Sequence, residues 1–350
     1  MASSALQPPV TDPTAIFEAF RGSYATELLT AAVAHLRLFE KLSAAPKSEA
    51  ELRGELELET RPAVVLFTAL RALGLLQKQG DQLQLTPLAR EHLLPGALLD
   101  VSDYIGLAAQ SPGVLEMVAR LRDNRPANAE KVDQGAAFIF REGLESAMAR
   151  EASARHFTLA LAGRAKNVAP ALARVVPLEN ARNLLDLGGG TGIYSIALLQ
   201  QHPRLQATVL DGPEVLKVTA EMAAEYGVAD RLQCLPGDMF RDPLPTDCDL
   251  ILLSNVLHDW DVPQCQALIQ RCAAALSAGG RLLIHDIFLN DQLDGPLPIA
   301  LYSAALFTLT EGRAYSAAEY RDWLEQAGLV AGDVTPTLIH CGVLTARKSV

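Results

Sequence analysis

"LLDLGGGTGIYSIALL", residues 184–199, sets three consecutive glycines between an apolar run and a second apolar run of helical character. At a strand-to-helix turn, glycine lets the backbone take positive φ and lets a ligand approach without a Cβ in the way. Dinucleotide folds use GxGxxG to bring a pyrophosphate onto a helix N-terminus. Here Gly188, Gly190 and Gly192 make GxGxG behind Asp186, a pattern that suits a nucleoside without phosphates.

The surrounding sequence repeats this strand-then-helix rhythm. Apolar runs at 183–187, 207–210, 231–235, 249–253 and 281–287 alternate with helical segments at 191–201, 214–226 and 262–277, which predicts a parallel α/β sheet. The end, from "AEYRDWLEQAGLV" to "PTLIHCGVLTARK", reads as one more helix followed by two further strands. Ahead of them, the uncharged "LPIALYSAALFTLT" reads as a buried core helix, with a substrate wall as the alternative, after a Pro- and Gly-containing loop.

The N-terminal part is of another kind. Residues 14–42 read as one amphipathic helix, with Ile16, Phe17, Phe20, Leu28, Leu29, Val33 and Leu36 near helical spacing. Ser48 followed three residues on by Glu51 has capping-box spacing, and two short helices follow. "GLLQKQGDQLQLTPLA" then reads as strand, turn, strand, the order of a winged helix. Its second helix, "RPAVVLFTALRALG", carries two arginines and no Lys, Asn or Gln able to read bases, so a protein-contact face is expected rather than a nucleic-acid reader.

Composition agrees. The 350 residues are 49% hydrophobic and 20% charged, enough for a large core divided between two domains. A net charge of −11 and a pI near 5.2 argue against a phosphate-backbone partner. No signal-like segment or run of 18 apolar residues is seen, so no membrane and a cytoplasmic location are expected. The five scattered cysteines show no CxxC spacing, and no metal site is expected.

Two further stretches extend the ligand reading. Asp211 ends the strand after the glycine turn, where a carboxylate can accept hydrogen bonds from both hydroxyls of a ribose. "LPGDMF" then places Gly237, Asp238, Met239 and Phe240 at the next strand's end, with Asp238 able to accept from an adenine amine and Met239 or Phe240 able to stack on the ring.

Together "DLGGGTG", "LDGPEV", "GDMF" and above all "LSNVLHDWDVPQC", residues 253–265, resemble the class I S-adenosylmethionine methyltransferases. Within these, the chain is similar to the two-domain small-molecule O-methyltransferases: the plant caffeate and isoflavone enzymes, acetylserotonin methyltransferase, and bacterial polyketide and phenazine methyltransferases. The resemblance implies a Rossmann-like α/β domain at residues 181–350, substrate-cap helices at 109–180 and a mainly helical, winged-helix-like dimerisation domain at 1–108. It also implies S-adenosylmethionine as cofactor, S-adenosylhomocysteine as its product, a small-molecule acceptor from secondary metabolism, and a homodimer.

The resemblance assigns His258 as general base, with Asp259 beside it and Asp286 orienting it. It assigns Gly188, Gly190, Asp211, Gly237, Asp238, Met239, Phe240 and Asn255 to the cofactor. Phe138, Phe140, Met148, Phe157 and Trp260 are candidates to line the acceptor pocket.

The sequence departs from the family pattern in three places. Asp286 stands where plant relatives carry the longer Glu, which suggests a water-mediated contact to His258. Ala314 stands where a second Glu is expected, with Glu311 a possible substitute. Ser254 replaces a Lys, and Asn255 is expected to take over its hydrogen bonding. His285 alternates to the opposite side of its strand from Asp286 and reads as a core histidine. Transfer of a methyl to oxygen is the leading reading; C- or N-methylation and a relative repurposed for other chemistry are the alternatives.

Overall fold

The computed structural model describes residues 5–125, 151–178, 181–246 and 248–349. Its N-terminal part runs through α1 (Thr14–Arg21), α2 (Ala25–Thr30), α3 (Leu38–Lys41), β1 (Lys47–Ser48), α4 (Glu49–Glu55), α5 (Thr60–Ala72), β2 (Leu76–Gln79), β3 (Gln82–Leu85), α6 (Pro87–His92), α7 (Ser102–Gly106) and α8 (Pro112–Asp123). The remainder comprises α9 (Glu151–Val175), β4 (Asn183–Leu187), α10 (Ile193–Gln201), β5 (Gln206–Asp211), α11 (Pro213–Glu225), β6 (Leu232–Pro236), β7 (Cys248–Ser254), α12 (Val262–Ala275), β8 (Leu276–Leu289), α13 (Leu297–Leu309), β9 (Tyr315–Ser316), α14 (Ala317–Gln326), β10 (Leu329–Pro336) and β11 (Cys341–Lys348). These elements form two compact units, and α13 groups with the N-terminal one although it follows β8 in the chain.

In the first unit, Ser48 caps α4 through a capping box with Glu51, and β1, β3 and β2 form a small antiparallel sheet. Leu28, Leu38, Phe39, Leu66, Leu70, Leu83 and Leu85 are buried in its core, joined by Ala304 and Phe307 of α13. The arginines of α5 are internal fasteners. Arg61 donates to the carbonyls of Thr310 and Gly312, and Arg71 to that of Gln292.

The single helix expected over 14–42 is instead three short α-helices. A 3-10 turn at Gly22–Tyr24 and a π turn at Ala31–His35 separate them, and the latter closes with Leu36 N–H donating to the Ala31 carbonyl. Arg37, at φ 50°, then ends the run. The apolar period marks which side is buried and does not register these changes of hydrogen-bond step.

The second unit carries the large sheet, in the order β10-β11-β8-β7-β4-β5-β6, with β9 paired to β8. The five strands from β8 to β6 are mutually parallel, as the alternation of strands and helices predicts. β11 is antiparallel to β8, and β10 and β11, the two further strands at the end of the chain, are antiparallel to each other. Only residues 337–340 join them, too few for the crossover that a parallel neighbour needs. Leu185, Leu187, Ile251, Leu253, Leu268, Ile269, Leu282 and Ile284 form the core behind the sheet's ligand edge. No helix among the described residues is long and apolar enough to cross a membrane.

Candidate active site

Ligands of open α/β sheets gather at the carboxyl ends of the strands, and here the turns after β4, β5, β6 and β7 converge there. Gly188 and Gly190 take φ of 65° and 58°, a region costly for residues with a Cβ. A Cβ on Gly188 would come within 3.2 Å of Val256, whereas one on Gly190 would meet nothing within 4 Å. At Gly190 the turn therefore presents bare backbone to open space.

Asp211 closes this cradle. Its Oδ2 accepts from the Gly190 N–H at 2.9 Å and its Oδ1 from Gly212 at 2.7 Å. Burial pushes its pKa up, and those two amide bonds oppose the shift. Gly237 N–H donates to the Asp211 carbonyl at 3.1 Å, which ties the "GDMF" turn to the same place.

Behind the loop, Asp186 is buried. Its Oδ2 accepts from Ser195 Oγ at 2.6 Å, while Oδ1 has no hydrogen-bond partner among the described residues. Burial, with Asp211 adding, pushes its pKa up to about 7 against that bond.

The turn after β6 reaches toward the turn after β7. Asp238 accepts from Phe240 N–H at 2.8 Å, and the Met239 sulfur lies 3.8 Å from where a Gly188 Cβ would sit. Phe240 packs edge-on against Trp260, ring centroids 4.6 Å apart. These contacts gather Gly188, Gly190, Asp211, Gly237, Met239, Phe240 and Trp260 at one edge of the sheet.

His258 sits on a 3-10 turn, Leu257–Asp259, just beyond β7. Its Nδ1 lies 2.5 Å from Asp286 Oδ1, so the shorter Asp makes direct contact where a water bridge was expected. A carboxylate oxygen accepts, so this contact favours the proton on Nδ1, and in the neutral ring the lone pair then lies on Nε2. Asp259 Oδ1 stands 3.6 Å from Nε2.

Burial on its own would lower the His258 pKa. The charges of Asp286 and Asp259 and the Asp286 hydrogen bond outweigh burial and Arg164, and the net shift is upward. Burial pushes Asp259 up to about 6, with His258 opposing.

Asn255 adopts φ 56° and is held by three neighbouring side chains. Its Oδ1 accepts from Arg164 at 2.7 Å, and its Nδ2 donates to Tyr194 Oη and Ser254 Oγ. Arg164, in the middle of α9, carries no sequence signal. His285 is fully buried between Ser254 Oγ at 2.8 Å and Thr337 Oγ1 at 3.2 Å, and burial pushes it down to about 3, which agrees with the core reading.

Of the pocket-lining candidates, Phe157 is half-buried on α9 beside His156. Phe138, Phe140 and Met148 lie outside the described residues. No group of three metal-ligating side chains occurs among the described residues.

Known proteins match this architecture. A family model described as an O-methyltransferase domain matches residues 131–330. The 3-hydroxy-5-methyl-1-naphthoate 3-O-methyltransferase of Streptomyces sahachiroi is 35% identical over 93% of this chain and 92% of its own. The L-tyrosine C(3)-methyltransferase of Streptomyces lavendulae is 29% identical over 88% of this chain and 84% of its own. The crystal structure of an O-methyltransferase family 2 protein from Planctomyces limnophilus, in complex with apigenin, superimposes with a TM-score of 0.89. It is 48% identical and covers 99% of this chain and 100% of that one.

Proposed function

Because this chain belongs to the family defined by that O-methyltransferase domain and is an S-adenosylmethionine-dependent methyltransferase, we propose that it methylates a hydroxyl on a small aromatic acceptor with His258 as general base. The observation that carries this reading is the direct pair of His258 Nδ1, on the turn after β7, and Asp286 Oδ1, on β8. Hydroxynaphthoate and apigenin, named for two relatives, are planar aromatics bearing hydroxyls, and an acceptor of that chemistry is the one assigned to this chain.

The cradle fits the cofactor. Gly190 leaves backbone open to it, Gly188 supplies the positive-φ turn beside it, Asp211 keeps lone pairs for two ribose hydroxyls, Asp238 accepts from the adenine amine, and Met239 and Phe240 supply apolar faces. When bound, S-adenosylmethionine supplies a methyl group already activated by the sulfonium charge.

The protein's own task is then proton transfer and alignment. A phenol has a pKa of about 10 and gains from a base near neutrality. His258 Nε2 takes that proton while Asp286 holds the ring, and the imidazolium formed is stabilised by Asp286 and Asp259. Phe157 and Trp260 wall the acceptor. A carbon nucleophile beside a phenol would use the same base, and the tyrosine C(3)-methyltransferase relative makes this the second reading.

Incubation with methyl-labelled S-adenosylmethionine and apigenin or a hydroxynaphthoate, with His258→Ala in parallel, tests the proposal. Label on oxygen with the wild type alone is expected. Equal labelling by both proteins overturns the base assignment, and label on carbon selects the second reading.

The N-terminal residues 1–108 are assigned to homodimerisation. Leu98, Leu99, Tyr104 and Leu107 expose large apolar faces there, Leu98 almost completely at 97%. Light scattering should give the mass of a dimer, and a monomer at micromolar concentration removes this assignment.

A further inference from the structure

Ala314 cannot supply the second orienting carboxylate, yet Asp286 is held at both oxygens. Oδ1 accepts from His258 Nδ1 and, at 2.8 Å, from the amide of Ile287. Oδ2 accepts from Tyr320 Oη at 3.5 Å. Tyr320 lies on α14 and is fully buried, its ring edge-packed against Phe288, Tyr315 and Trp323. Among the described residues this is the only hydrogen bond its hydroxyl makes, and a buried hydroxyl without a partner costs about 1–3 kcal/mol.

We propose that Tyr320 is a positioning residue that holds Asp286, and through it His258, in place of the missing second carboxylate. The inference rests on the reading of His258 as base. A phenolic donor differs from a second acid in one respect that matters: it fixes the Asp286 side chain without adding negative charge around the imidazole. The groups that act on His258 are Asp286, Asp259 and Arg164. Those near Asp286 are His258, Asp259, Tyr320 and the neutral His285. With Tyr320 donating to Oδ2, part of the carboxylate's charge is drawn away from Oδ1. Removing the donor therefore strengthens the pull of Asp286 on the imidazolium and raises the pH at which His258 becomes neutral.

Tyr315 offers an internal control. It is also buried, but its hydroxyl donates to the Trp260 carbonyl at 2.6 Å, at the end of the turn rather than on Asp286.

The test compares full-length Tyr320→Phe, Tyr315→Phe, Asp286→Asn and the Tyr320→Phe/Asp286→Asn double variant, with His258→Ala as reference. Tyr320→Phe keeps the ring, so its melting temperature and its KM for the cofactor should stay near wild type. Its kcat should fall about fivefold, and the acid limb of its pH profile should move to higher pH. In the Asp286→Asn background the same change should cost nothing more. An unmoved limb with unchanged kcat, or the same loss in both backgrounds, overturns the proposal. So does a Tyr320→Phe limb no different from that of Tyr315→Phe.

Nuclear magnetic resonance titration of His258 in cofactor-free protein gives a readout independent of turnover. If His258→Ala retains full activity, the base reading fails, while movement of the His258 titration in Tyr320→Phe still decides the positioning claim. Should Tyr320→Phe not fold, the Tyr320 ζ-carbon resonance in Asp286→Asn decides instead: a shift supports the contact and no shift removes it.

Discussion

The turn from β4 into α10 and the turn from β7 into α12 leave the same edge of one sheet, yet they work in opposite ways. The first offers backbone: glycines at positive φ, and amides that hold Asp211. The second offers a side chain, His258, whose geometry depends on Asp286, 28 residues on, and through it on Tyr320, a further 34. A site made of backbone is written where it stands in the sequence. A site made of braced side chains is distributed along the chain, and only its centre is local.

If this division is right, the two turns separate cleanly under mutation. The largest effect belongs to His258→Ala: kcat should fall about 100- to 10,000-fold while calorimetry finds cofactor affinity unchanged. The reverse belongs to Asp211→Asn, which should weaken cofactor binding roughly thirtyfold, the loss of about 2 kcal/mol of hydrogen bonding to a charged group. Its kcat at saturating cofactor should stay within about twofold of wild type. A kcat loss in Asp211→Asn as large as that in His258→Ala would break the comparison.

The same division explains what could be read from the sequence. The strands at 183–187 and 249–253, the Ser48–Glu51 capping box and the buried helix Leu297–Leu309 follow from local period and capping chemistry, and the structure has them where the residues put them. His258 was legible as a histidine past a strand end within a motif. Tyr320 was not, because a tyrosine in an amphipathic helix looks the same whether its hydroxyl meets water or Asp286. Arg164 was hidden for the same reason: its contact with Asn255 spans 91 residues. The direct Asp286 contact escaped because side-chain length alone does not say how closely a backbone approaches. The breaks in the 14–42 helix escaped because π and 3-10 steps leave the apolar pattern nearly intact.

A smaller effect sharpens the side-chain half of the comparison. Asp286 is the leading cause that raises His258 against the burial that lowers it. His258 must be neutral to accept a proton, so wild-type turnover should rise as pH passes the raised folded-state pKa, above the ordinary histidine value of about 6.5. Asp286→Asn removes the larger raising charge and its hydrogen bond, which leaves burial and Arg164 opposed by Asp259 alone. The acid limb should therefore move to lower pH, and kcat should fall roughly tenfold as the ring loses its tether. A limb that moves upward, or stays fixed, would mean that Asp286 does not govern the base.

The smallest effect falls on the backbone half and concerns Gly190. A Cβ there meets nothing within 4 Å, so Gly190→Ala carries only the conformational penalty of φ 58°, about 1–2 kcal/mol. Its melting temperature should drop by a few degrees. Gly188→Ala carries a comparable backbone penalty plus an approach of 3.2 Å to Val256, and should lose more. The open space over Gly190 is where the cofactor is assigned, so a methyl group there costs little in the free protein and matters once the cradle is filled. Gly190→Ala should thus lose the thermal stabilisation that added S-adenosylhomocysteine gives the wild type, while Gly188→Ala should differ from it mainly in the free protein. If Gly190→Ala is stabilised as much as wild type, the ligand does not pass over that residue, and the backbone reading of the turn fails at the position where it is most exposed to test.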